Sequence, residues 1–263
     1  MDLQLDNAHV LITGGSKGIG LACAQAFLAE GARVSLVSRQ AEHLERACQL
    51  LGKQGPASHV ATFAADLSDP GQAEQALRMA EAHFGPLDVL VNSAGAARRT
   101  PAQELQPQDY RDAMNAKFFT YVNTMTPASH QMRARGKGCI VNVIGAGGKV
   151  ASPSHLPGGA ANAALMLVTA GLAASLGPQG IRVNAVNPGS THTDRLAGGL
   201  EAMARTQGIT AQQALDELCR KIPLGRIAEP AEVAQTVVFL ASAAASYITG
   251  VTVSMDGGAT PMI

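Results

Sequence analysis

The first residues able to do chemistry come early. Thr13-Gly14-Gly15-Ser16-Lys17-Gly18-Ile19-Gly20 ends one apolar run, His9–Thr13, and opens a helical pattern. Glycines at this spacing permit a tight turn, let backbone N–H groups approach a pyrophosphate and bring helix against strand, while the helix N-terminus favours negative charge. Gly14, Ser16, Lys17, Gly18, Ile19 and Gly20 are therefore expected to hold the phosphates of a dinucleotide. The second apolar run ends at Ser38-Arg39. An acidic residue there would select a free ribose 2′-hydroxyl, whereas Arg suits a 2′-phosphate. Arg39, with Lys17 in the loop and no carboxylate, favours NADP(H) over NAD(H). The competing reading makes Arg39 a solvated strand-end charge.

These residues need a scaffold. Seven β-type runs recur, at 9–13, 33–38, 59–64, 88–91, 138–143, 181–186 and 251–254, with helical patterns such as 19–30, 41–51, 71–83 and 231–241 between them. Strands that alternate with helices and are apolar almost throughout predict an α/β fold, a doubly wound parallel sheet of Rossmann type covered on both faces. No linker or repeat interrupts residues 1–263, so one domain is expected. An irregular insertion, Arg195–Lys221, starts where ligands sit in open α/β sheets, beyond the carboxyl ends of the strands. It reads as a lid.

Composition narrows the function. The 263 residues carry 20 Lys+Arg against 20 Asp+Glu, with 3% aromatics and no Trp. Such a chain has no field for steering onto nucleic acid and few base-stacking platforms. Cys23, Cys48, Cys139 and Cys219 match no metal-ligand spacing, so no metal is expected, and they read as buried thiols in a reducing compartment. The N-terminus lacks a signal-peptide pattern, which points to the cytoplasm. No charge occurs between Lys149 and Arg182, but the prolines and short apolar core of this stretch predict a buried helix rather than a membrane span.

Taken together, the landmarks resemble the short-chain dehydrogenase/reductase family, in its classical branch similar to 3-oxoacyl-acyl-carrier-protein reductases. They comprise the glycine loop, Asp66-Leu67, Asn92-Ser93-Ala94-Gly95, Asn115, Asn187-Pro188-Gly189, Pro223–Arg226, Tyr247–Gly250 and Asp256–Gly258. The resemblance implies about seven strands, a homodimer or homotetramer, a small-molecule substrate and a nicotinamide cofactor. It further implies that Asp66 and Leu67 meet the adenine and that Asn92, Ala94 and Gly95 line the cofactor's midsection. Pro188, Gly189, Thr191 and Thr193 would hold the nicotinamide amide. On the residues alone, Asp66 could instead cap a helix and Asn92 could tie strands together.

The catalytic centre departs from that pattern. The family reduces carbonyls with a Tyr, a Lys four residues later and a Ser about thirteen residues before the Tyr. Those positions fall here on Gly158, Asn162 and Gly145, and no Tyr-x-x-x-Lys occurs anywhere in the chain. Of the catalytic four, only Asn115 is assigned. His155 stands three residues before the vacant Tyr position and is the candidate acid, an imidazole being able to donate a proton near pH 7. Lys117 lies about 200° from Asn115 round an α-helix and is expected to point away. An oxidoreductase with a non-classical proton donor is the leading expectation. A silent nucleotide-binding protein and a non-redox lyase or isomerase are the alternatives.

Overall fold

Seven strands pair in parallel in the order β3-β2-β1-β4-β5-β6-β7. They are β1 (His9–Thr13), β2 (Arg33–Ser38), β3 (Val60–Ala64), β4 (Val89–Asn92), β5 (Gly138–Val143), β6 (Ile181–Pro188) and β7 (Thr252–Met255). The computed structural model describes residues 2–95 and 98–261. Strand order reverses between β1 and β4, which opens a crevice at their carboxyl ends. Thr13 pairs in register with Asn92 there, and the Thr13 hydroxyl accepts from the Ser93 and Ala94 amides at 3.0 and 3.1 Å.

Alternation along the strands splits the core into two layers. Val10 and Ile12 face α1 (Gly18–Ala29), α2 (Ala41–Leu51) and α9 (Pro230–Ala241). Leu11 faces the other layer, made by α3 (Pro70–Phe84), α5 (Thr120–Arg135) and α6 (Leu156–Leu176). The strands lie within two residues of their expected bounds. The insertion forms two helices, α7 (Asp194–Gln207) and α8 (Ala211–Arg220).

Two expectations are corrected. The uncharged helix α6 is buried along one face only, through Ala161, Leu165, Thr169 and Ala173, while Leu167 on the other side is 76% exposed. A helix lying on a sheet can bury only the stripe that touches it. By length and composition the stretch Leu156–Gln179 is apolar enough to cross a membrane, with a third of its most apolar window covered by the protein. Among the cysteines, Cys23 and Cys139 are buried, their thiols pushed by burial up to about 12 and about 11, but Cys48 and Cys219 are half-exposed.

Candidate active site

The glycine loop is shaped by close approach rather than by side chains. Gly14 has φ +65°, and a Cβ there would stand 2.9 Å from the Ala94 backbone, so only glycine fits between β1 and β4. No side chain caps α1 and no acidic residue lies in its first turn, which leaves the N-terminal amides of a 12-residue helix facing the crevice. Thr193 closes the opposite wall: it caps α7, and a Cβ at Gly18 would lie 3.4 Å from its methyl group. Two helix N-termini thus converge on the space where a pyrophosphate would sit, and the loop fits a dinucleotide.

The residues expected to meet the adenosine end lie at the ends of β2 and β3. Ser16 donates to Ser38 at 3.1 Å, and Arg39 follows, exposed. Asp66 does not cap a helix, because Asp69 does so by accepting from Gln72 N at 2.8 Å. Asp66 instead accepts from the Ser68 hydroxyl and amide. Those bonds hold its carboxyl below the usual range, and the Arg39 charge adds to the effect. Leu67 is in the core, so only its backbone faces the crevice. The Asn92 side chain is likewise spent inside the protein: it donates to Asn142 at 3.1 Å and accepts from Thr124 at 2.7 Å and Thr13 at 3.4 Å. Pro188 ends β6, Gly189 is tied to Met255 at 3.0 Å, and Thr191 is buried beside it.

The catalytic end overturns an expectation. A short helix α4 (Pro107–Ala113) runs into α5 through a π-helical turn, Met114–Phe119. A π-turn holds an extra residue and so rotates every later side chain by about 100°. Asn115 is exposed, whereas Lys117 is 8% exposed and points inward, so the two lie on opposite faces with the lysine on the inner one. Its Nζ donates to the Tyr121 hydroxyl at 2.8 Å and to the Val143 carbonyl at 3.0 Å, at the carboxyl end of β5. The Tyr121 hydroxyl donates to the same carbonyl. Burial, with the Arg195 charge adding to it, pulls the Lys117 amine from its ordinary 10.5 to about 7. The signal was present as Lys-x-x-x-Tyr at 117–121, the reverse of the order sought in the sequence.

Around this amine, Asn162 is buried on α6 with its amide 3.5 Å from the Gly145 carbonyl. Gly145 has φ +137°, a conformation closed to other residues. His155 precedes α6 as its cap residue, with a buried Nδ1 that has no partner among the described residues. Burial and the charges of Arg99, Arg195 and Lys117 all lower its pKa, so the ring is neutral at pH 7. Among the described residues no group of His, Cys, Asp and Glu could hold a metal ion.

The profile described as Enoyl-(Acyl carrier protein) reductase matches residues 14–260. A 3alpha-hydroxysteroid dehydrogenase of Mediterraneibacter gnavus is 33% identical over 98% of this chain and 99% of its own length. The chain belongs to the short-chain dehydrogenase/reductase family. Among solved structures of the family, L-sorbose reductase from Gluconobacter frateurii, complexed with NADPH and L-sorbose, superposes with a TM-score of 0.93 at 29% identity, covering 100% of both chains. A short-chain oxidoreductase from Pseudomonas aeruginosa PAO1, NADPH-bound and described as containing an atypical catalytic center, gives 0.89 at 28% identity over 97% of this chain and 98% of its own. In this chain the sheet's switch point and the glycine loop lie together.

Proposed function

We propose that this protein is an NADP(H)-dependent oxidoreductase that interconverts a small carbonyl compound and its alcohol, with Lys117 as proton donor. The observation that carries the reading is the inward Lys117 amine with a pKa of about 7 beside the carboxyl ends of β4 and β5. Asn162 stands where the resemblance places the family's Lys, and Lys117 supplies an inward amine from the turn that carries Asn115. NADP(H) is supported by Arg39, Ser16 and Ser38 at the end of β2 and by the NADPH-bound relatives.

When bound, the reduced nicotinamide supplies a hydride to the substrate carbonyl. The resulting alkoxide needs a proton, and an ammonium group of pKa about 7 gives one up readily. Tyr121 and Val143 engage two of the three N–H bonds of Lys117 and fix the amine, which leaves the third for the substrate oxygen. Tyr121 is not itself the acid, since it is fully buried and its proton is held by Val143. His155, neutral at pH 7, serves as a hydrogen-bonding group. The helices α7 and α8 act as the lid, and the open face of α6 pairs with a second subunit in a homodimer or homotetramer.

The test is NADPH oxidation across a panel of carbonyl compounds, followed by a pH profile. Reduction should need protonated Lys117 and fall as pH rises through about 7, whereas alcohol oxidation should need the free amine and rise through the same value. Tight NADPH binding without turnover on any substrate refutes the proposal in favour of a silent nucleotide-binding protein. Product formed without any change in the cofactor indicates a lyase or isomerase.

A further inference from the structure

We infer that the crevice above Lys117 takes an anionic substrate, a carbonyl compound whose carboxylate or phosphate group docks between Arg195, Arg99 and His155. The inference rests on the oxidoreductase reading for the carbonyl, and on the following geometry for the anion.

Arg195, in the first turn of α7, reaches back across the crevice and donates from Nη2 to the Gly95 carbonyl at 3.0 Å. Gly95 packs on Lys117, since a Cβ built there would lie 3.1 Å from the Lys117 Cα and Cδ. The guanidinium therefore stands next to the buried amine, and among the described residues it forms no ion pair. From the other side comes His155, whose Cδ2 would lie 3.2 Å from a Cβ at Gly147. Thr100 is held to the neighbouring segment by its amide, which donates to the Ser154 carbonyl at 3.1 Å. Thr100 is 7% exposed, and among the described residues neither its hydroxyl nor the buried His155 Nδ1 has a partner. Buried polar atoms rarely stay unpaired, so this pair points to a missing ligand.

The charges agree in sign. Those bearing on His155 are Arg99, Arg195 and Lys117, and the one bearing on Lys117 is Arg195, with no carboxylate among them. The 21-residue α6 begins here without a side-chain cap or an acidic residue in its first turn, which adds a positive helix end. A neutral substrate leaves these cations repelling one another. An anion relieves the repulsion and, by the same charge, raises the pKa of Lys117, so that substrate binding loads the acid with its proton.

The cofactor pyrophosphate is the competing anion, because Arg195 is only two residues from Thr193, which packs against Gly18 of the glycine loop. A binding experiment separates the two. NADPH-loaded protein is titrated with malonate, inorganic phosphate and uncharged malonamide, following NADPH fluorescence. Malonate or phosphate should bind about 10-fold or more tighter than malonamide. Arg195→Gln and Arg99→Gln should each weaken that anion about 10-fold while leaving the NADPH Kd within about twofold. Equal affinity for malonate, phosphate and malonamide overturns the inference, as does an Arg195→Gln variant that loses NADPH by the same factor as the anion. Oxyanion binding without reduction of any carbonyl defeats the oxidoreductase reading and leaves the anion site standing. Brisk reduction of neutral ketones by a protein that ignores both oxyanions does the reverse.

Discussion

Replacing Lys117 by Met keeps most of the aliphatic volume and removes the amine, so it separates what this residue does for folding from what it does for chemistry. Folding lowers the amine from 10.5 to about 7, which amounts to ~5 kcal/mol against the charged form. Because the folded pKa lies below the unfolded one, the native state holds fewer protons between about 7 and 10.5. Stability therefore rises with pH across that window, and the penalty is full below it. At pH 8, discharging the amine in order to fold costs ~3 kcal/mol by this linkage, and at pH 6 the cost is closer to ~5. Lys117→Met removes the penalty and leaves the Tyr121 hydroxyl with its Val143 acceptor. Expected are a stabilisation approaching ~3 kcal/mol at pH 8, or ~5–10 °C in Tm, and a larger gain at pH 6. Turnover should fall by about 10²–10⁴. Urea unfolding at the two pH values and NADPH-coupled kinetics measure both. A variant less stable than wild type with turnover intact would refute the assignment, for it would make Lys117 an ordinary structural cation. Tyr121→Phe is the control for positioning. Without the hydroxyl that accepts from Nζ, the pKa should drop further and the midpoint of the kcat profile should move to lower pH.

Other expectations rest on separate parts of the fold. Arg39→Asp should weaken NADPH binding far more than NADH binding in fluorescence titrations, and equal losses would remove Arg39 from the 2′-phosphate. Introducing Gly145→Ser, Gly158→Tyr and Asn162→Lys, at the positions where the resemblance would put the family's triad, should not raise carbonyl reduction. Gly145 sits at φ +137°, and a lysine at 162 would add a second cation to the segment of α6 that packs on the Lys117 turn; a gain of about 10-fold or more would contradict this. Arg182 donates to the Leu240, Ala241 and Ser242 carbonyls at 2.6, 3.0 and 3.0 Å, closing the C-terminus of α9. Arg182→Met should cost ~2–4 kcal/mol in urea unfolding, with NADPH affinity unchanged.

The scaffold was legible because its signals are local and repeated. Buried parallel strands such as Val10-Leu11-Ile12 and Val89-Leu90-Val91 read as continuous apolar runs, and the Gly14 turn announces itself by residue type. Side-chain direction was less legible. Leu67 and Asn92 belong to motifs expected to line a cofactor site, yet both side chains turn into the core, where Leu67 packs and Asn92 bonds to three side chains. A motif fixes the path of the backbone, and which atom it shows to the ligand is decided by packing.

The catalytic centre stayed hidden for a reason of helical phase. On a regular α-helix Asn115 and Lys117, two residues apart, lie about 200° from each other. The turn Met114–Phe119 is π-helical, which shifts the phase of the helix by about 100°, and the inner face falls to Lys117 rather than Asn115. No pattern of apolar residues marks such a turn, because it is held from outside: the Lys117 amine bonds to the end of β5, and Gly95 leaves room for its side chain. A buried amine is costly, and nothing in the sheet requires one. Its presence beside Arg195 and His155, in a chain without any Tyr-x-x-x-Lys sequence, is explained if the proton for reduction comes from Lys117, as proposed. Should Lys117→Gln and wild type share one pH profile for reduction, that explanation fails, even if both proteins fold and bind NADPH alike.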